Sequence, residues 1–227
     1  MVSSSFRQTF FKVFLSTLFC FPLWLLAQDQ PTVQHHLGVE ASFGGTGALA
    51  APNNYYGRPK YIWSQEHYRA ALSYHSFYLE GHLHLGIGLG FQHKRVADAY
   101  LYKDSNGDDR YTHIFRIQRD LILPIQIGYQ SQFGGKHNFT ADVVLTPLYL
   151  LQRKDRPIDY NFFYPNPPQS TARLGLETGI QLGYNLDLSD KMSLQLAVLG
   201  TVEPFARDFL DRQHYTLGLN AGLRYQL

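Results

Sequence analysis

Cysteine is almost missing from this chain. Cys20 is the single one, and it sits inside an apolar N-terminal stretch. With that stretch removed, no disulfide, thiol nucleophile or thiolate metal site remains. Long hydrophobic runs are missing too: past Leu26 nothing approaches the ~20 apolar residues that a spanning helix requires. An excess of one charge is absent as well. The formal charge is +2, and two of the basic residues, Arg7 and Lys12, belong to the N-terminal stretch, so the remainder balances. That excludes the electrostatic footprint of a nucleic-acid binder.

The N-terminal stretch reads as a secretory signal. Arg7 and Lys12 supply the positive region, Val13 to Leu26 the apolar region, and Ala27 a small residue before the cleavage point. The expected organisation is a signal peptide over 1–27 and one domain over 28–227. Two hundred residues fit a single domain.

Glycine, tyrosine and alternation are abundant. From Tyr215 the odd positions are Tyr, Leu, Leu, Ala, Leu, Tyr, Leu, and the even positions are Thr, Gly, Asn, Gly, Arg, Gln. A period of two over a dozen residues is a strand, and its length suits the ~9–11 residues with which a tilted strand crosses a bilayer. The same pattern recurs at 37–44, 68–78, 83–91, 120–129, 139–149, 173–186 and 192–201. Glu80-Gly81 is a hairpin turn that pairs Tyr78 with Leu83 and Leu72 with Leu89. Pro124 cannot donate to a ladder and marks a bulge. Loops are expected at 46–65, 93–110, 152–170 and 203–213, alternating with short turns. The reading is all-β: a transmembrane antiparallel up-and-down β-barrel of about eight strands, with short periplasmic turns and long extracellular loops. No stretch is left over for a peptidoglycan-binding or plug domain, so wall anchoring and energised import are not expected of this chain.

The second face decides which side is greasy. It carries Glu40, Arg69, His75, His84, Asp142, Arg173, Glu177 and Arg224 among many glycines. A soluble exterior would be rich in Lys and poor in Gly. A narrow eight-stranded interior needs Gly beside long polar side chains. Glu40, Arg69, Asp142, Arg173, Glu177 and Arg224 are therefore expected to form a polar network that plugs the lumen. Glu40 and Arg224, on the first and last strands, are expected to pair. Leucines then face lipid, which makes outer-membrane lipid and lipopolysaccharide the first partners.

LILPI at 121–125 with Tyr129, GLETGIQLGYNLDLSDKMSLQL at 175–196 and GLNAGLRYQL at 218–227 resemble the porin-like outer-membrane β-barrel domain proteins of Gram-negative bacteria. The resemblance spans nearly all of the mature chain. It implies the barrel fold, an integral outer-membrane address and delivery by the barrel assembly machinery. It implies no single activity. Leu227 stands where Phe is commoner, and an apolar end serves the same machinery.

Four candidate sites remain. His75 and His84 face the lumen on one hairpin and are expected to belong to the polar network. No inward acid on that hairpin completes a metal set, and neither a metal nor a cofactor is expected. His75 and Ser76 are adjacent and point to opposite faces, so they cannot share a proton. His214 and Thr216 share a face with no acid placed nearby, so no catalytic constellation is read. Asp104 to Asp109 alternates oxygen ligands, but Asp109 and Phe115 break the calcium-loop pattern, leaving a polar turn. Tyr160, Phe162, Phe163 and Tyr164, among prolines, offer a loop surface for a protein or glycan partner, or a lipid-interface girdle. The leading expectation is a plugged barrel with a structural or binding role through its loops. A narrow conduit for small or amphipathic solutes is the alternative, and a lipid-modifying outer-membrane enzyme is the third.

Overall fold

The computed structural model describes residues 33–49, 65–78, 82–103, 106, 109–132, 136–157, 173–204 and 213–227. The strands are β1 (Gln34–Leu49), β2 (Gln65–Tyr78), β3 (Leu83–Lys103), β4 (Asp109–Ile122), β5 (Ile125–Gln132), β6 (His137–Pro157), β7 (Leu174–Ser189), β8 (Met192–Glu203) and β9 (Gln213–Gln226). All pairings are antiparallel and follow the chain order, with β4 and β5 sharing one place in it, and β1 pairs with β9 along fourteen residues from His36 to Leu49. The sheet thus closes on itself and leaves no edge within the ring. β4 and β5 are two halves of one wall strand, because both pair with β3 on one side and β6 on the other. The break between them is Leu123-Pro124. Gly88 N–H donates to the Pro124 carbonyl (2.8 Å) and Leu123 N–H to that of Pro147 (3.0 Å). The wall stays hydrogen-bonded across a residue that has no N–H of its own. The result is an eight-stranded up-and-down barrel.

The β2–β3 ladder aligns Tyr78 with Leu83 and Leu72 with Leu89, the register that the two-residue turn dictates. Two of the expected loops are shorter than the sequence suggests. β3 continues to Lys103 and β4 starts at Asp109, so most of 93–110 is a projecting hairpin. β6 likewise runs on to Pro157, pairing with β4 up to Ile114. β3, β4 and β6 therefore rise above the rest of the wall on one side. The reason is physical: above the hydrocarbon a strand needs no apolar partner face, so the alternation that marks strands below is absent there.

The polarity is inverted relative to a soluble protein. Leu72, Phe91, Leu182, Leu217 and Leu219 are each about 60% exposed or more. Val39, Leu89, Val143, Ile180 and Leu196 continue the same outer belt. Inside, Glu40, Arg69, His75, His84, Lys94, Arg116, Asp120, Asp142, Glu177 and Arg224 are buried. A soluble monomer rarely leaves a contiguous apolar patch beyond a few hundred Å² uncovered. A belt contributed by every wall strand and wrapped around a charged interior is compatible only with hydrocarbon outside. Among the described residues no helix is long and apolar enough to cross a membrane; this chain crosses with strands.

Candidate functional site

Alternation places one large inward side chain opposite a glycine on the next strand, repeatedly. His75 lies across from Gly86, and Gly128 lies across from both His84 and Asp142. The space those glycines leave is filled by a chain of four side chains. Glu40 Oε1 meets His75 Nε2 at 2.9 Å. His75 Nδ1 meets His84 Nε2 at 2.7 Å. His84 Nδ1 meets Asp142 Oδ1 at 2.9 Å. The two imidazoles are wholly buried and stack at 4.9 Å. Phe77 stacks on His84 at 4.8 Å and 7°, and the Arg224 guanidinium carbon lies 5.8 Å from the Phe77 centroid.

Glu40 belongs to β1, His75 to β2, His84 to β3 and Asp142 to β6. In the ring, β1 and β6 are four strands apart in either direction. The chain is therefore a crossbar along a diameter of the barrel. Its three contacts each require one proton. Either the imidazole pair holds all three while both carboxylates are ionised, or one carboxyl keeps its own proton. Each ring nitrogen is engaged within the bar. Among the described residues no group of three or more His, Cys, Asp or Glu is arranged to hold a metal ion.

Around the bar the bore is packed with amides and hydroxyls. Ser73 donates to Glu40 Oε1 (3.1 Å), and its hydroxyl lies 2.7 Å from His75 Nε2. Gln126 and Asn220 donate to Glu40 Oε2 (3.2 and 3.5 Å). Asn220 also donates to Gln181 (3.0 Å). A void of about 10 Å³, lined in part by Glu40, Arg69, Gln126 and Gln181, lies beside the bar. It is the size of one water molecule. Ser42 Oγ, one Arg69 nitrogen, Gln126 Oε1 and Gln181 Nε2 border it without a partner.

A second cluster fills the long-loop half. Lys94 Nζ lies 3.4 Å from Glu177 and 3.2 Å from Glu203, and Gln92 donates to Glu177 (3.0 Å). His214 approaches Glu203 at 3.8 Å, so an acid does stand beside His214, contrary to the sequence reading. Arg69 donates to Thr146 (3.0 Å) between the two clusters.

Glu40, Arg69, His75, His84, Asp142, Glu177 and Arg224 are all enclosed by the wall. Arg173 is not: it is exposed at the start of β7 and reaches the Tyr149 hydroxyl at 3.5 Å. Glu40 and Arg224 do not pair either. The β1–β9 ladder sets Glu40 across from Gly222 and Arg224 across from Gly38. Arg224 binds Gln195 instead (2.6 Å). His82 stacks on the exposed Tyr129 at 5.6 Å. The aromatic loop Tyr160, Phe162, Phe163 and Tyr164 lies outside the described residues, as do residues 1–27 and most of Asp104 to Asp109.

Sequence reasoning missed Ser73, which shares a face with His75 because two residues separate equal orientations. It placed Glu40 and Asp142 in the lumen but did not bring them to the histidines, since they come from other strands than the hairpin. Ser73, His75, His84 and Asp142 superficially resemble a nucleophile, a base and an orienting acid. Ser73 is buried and borders neither the void nor the cavity at the barrel's short-turn end, so no reacting group has an approach to it.

No family model and no curated protein match the chain. Solved structures of similar shape include Neisserial surface protein A, at 11% identity and TM-score 0.44, covering 84% of this chain and 97% of that one. Ail, the attachment invasion locus protein of Yersinia pestis, in complex with the heparin analogue sucrose octasulfate, matches at 8% and 0.38, covering 85% and 99%. The outer membrane protease OmpT from Escherichia coli matches at 10% and 0.41, covering 86% and 96%. At such identities and scores the likeness carries nothing about role, and the architecture rests on the strand ladders themselves. What the ladders and the burial establish is a membrane-spanning, eight-stranded β-barrel with a charged, closely packed interior.

Proposed function

We propose that the protein is an integral barrel of a Gram-negative outer membrane, of the porin-like β-barrel type, and that its lumen does not conduct. It is exported by the signal at 1–27 and inserted by the barrel assembly machinery. Its role is structural or binding and is exercised through the surface it presents outside, including the loop that holds Tyr160, Phe162, Phe163 and Tyr164. A protein or glycan is the partner class that aromatic loops suit.

The crossbar is the observation that carries this reading. Four hydrogen-bonded side chains span the bore, and the void beside them is no larger than one water molecule. An eight-stranded interior is just wide enough for side chains to fill, and here they fill it. Conduction would require breaking buried hydrogen bonds, and each donor or acceptor left unsatisfied costs about 1–3 kcal/mol. The decisive experiment is single-channel recording of the purified protein in a planar bilayer. A silent, correctly folded barrel is expected. Steady stepwise currents would instead establish the narrow-conduit reading.

A further inference from the structure

The outer faces of the two ends of the wall differ in charge. Toward the long loops the β3–β4 and β4–β6 ladders set Phe91, Leu121 and Tyr149 on one outward rung. The next outward rung is His93, Arg119 and Gln152, and the one after it Arg95, Ile117 and Lys154. The His93 ring lies 6.2 Å from that of the exposed Tyr68, which fixes it outside. On the neighbouring β7, Arg173 is exposed and reaches the Tyr149 hydroxyl (3.5 Å). Five cationic or basic side chains thus cover four adjacent strands, β3, β4, β6 and β7, an arc of about 14 Å at the usual strand spacing. Among the described side chains Glu66 is the one acid on the outer face of this half, and it stands at the β2 margin of the arc. The outward positions of β8, β9 and β1 at the same end are uncharged: Gly200, Val202, Tyr215, Leu217 and Gly45. At the short-turn end Lys136 and Lys191 are matched by Asp187 and Asp190.

We infer that this arc binds the phosphorylated head of an acylated disaccharide, the lipid anchor of lipopolysaccharide, seated against β3, β4, β6 and β7. The inference rests on the outer-membrane reading above. Below the arc, Phe91, Tyr149 and Leu151 are exposed and offer an apolar wall to acyl chains. Where that wall ends, the cations outnumber the acid, so a head with uncompensated negative charge is favoured over a zwitterionic one. Arg119 gives one terminal nitrogen to Gln152 (3.1 Å) and is otherwise exposed, and an open guanidinium suits a pair of phosphate oxygens. The arc is wider than one phosphate. A disaccharide with a phosphate at each end fits it better than a glycerophospholipid with one. β3, β4 and β6 continue past the arc on this same side, beside the sugars that such a lipid carries above its phosphates.

The test is native mass spectrometry of the mature protein refolded in detergent micelles. Bis-phosphorylated lipid A, the same lipid stripped of both phosphates, and phosphatidylglycerol are added separately. The bis-phosphorylated lipid is expected to be retained at the lowest concentration. Arg119→Gln, Lys154→Gln and Arg173→Gln should each weaken it about fivefold, the range for one basic side chain at an anionic lipid surface, and the triple variant more. Lys154→Arg keeps the charge and the binding. Lys136→Gln and Lys191→Gln, at the opposite end, leave it unchanged. Equal retention of the dephosphorylated lipid or of phosphatidylglycerol, or an undiminished triple variant, would overturn the proposal. Heat-modifiable migration on gels checks the fold of each variant. A folded parent with no preference among the three lipids sinks this inference alone, whereas a parent that folds in neither micelles nor vesicles sinks the barrel reading beneath it.

Discussion

A Cβ on Gly128 would lie 2.1 Å from Asp142 Oδ1 and 2.3 Å from the Ala141 carbonyl. One of these is the acid that ends the crossbar, and the other is backbone of the neighbouring strand. Neither can retreat without loosening the β5–β6 ladder. At Gly200 a Cβ would meet only Leu217 Cδ1, at 3.9 Å. Gly128→Ala is therefore expected to cost about 1–3 kcal/mol, the range for overpacking. Gly200→Ala should fall within about 0.5 kcal/mol of the parent. Urea titration of the barrel folded in phospholipid vesicles measures both, and equal effects would contradict this account of the lumen. The same residues mark where the sequence stops being informative. Parity alone points Glu40, His75, His84, Asp142 and Arg224 inward. It does not say which of them touch. That depends on strand stagger, which puts Arg224 level with Gly38 and so two rungs from Glu40.

At the scale of the strand, the bilayer imposes a rule that water does not. β9 keeps Leu217, Leu219 and Leu223 outward and His214, Thr216, Asn220 and Arg224 inward. A period of two is obligatory where one face meets hydrocarbon and the other meets charge. This is why most strands and the β2–β3 register are readable from the sequence. It is also why the upper halves of β3, β4 and β6 are not: beyond the bilayer nothing requires one face to be apolar, and the rule lapses. Leu219 is 67% exposed and lies midway along its strand. On a soluble surface Leu219→Arg would change stability by about 0.5 kcal/mol or less. Facing the bilayer midplane it is expected to cost about 2–4 kcal/mol. Unfolding from vesicles distinguishes the two, and a negligible change would place the belt in water.

At the scale of the whole barrel, the crossbar joins walls that no ladder joins. Distant substitutions normally add to within about 0.3–0.5 kcal/mol. Glu40 and Asp142 stand on opposite strands, yet they are the two ends of one hydrogen-bonded chain. Glu40→Gln and Asp142→Asn are each expected to destabilise the barrel. Together they should depart from additivity by about 0.5–3 kcal/mol, as residues of one network do. A double-mutant cycle in vesicles gives the coupling, and strict additivity would mean that the bar is two separate pairs. Its placement also bears on how the cylinder comes to shut. All four residues come from β1 to β6, five consecutive wall strands, and the ring closes elsewhere, at the β1–β9 ladder, which no contact of the bar crosses. The bar therefore belongs to one half of the sheet and can form before the ring shuts. By tying the first wall strand to the fifth it bends the ribbon inward, in the sense that carries its two free margins toward each other.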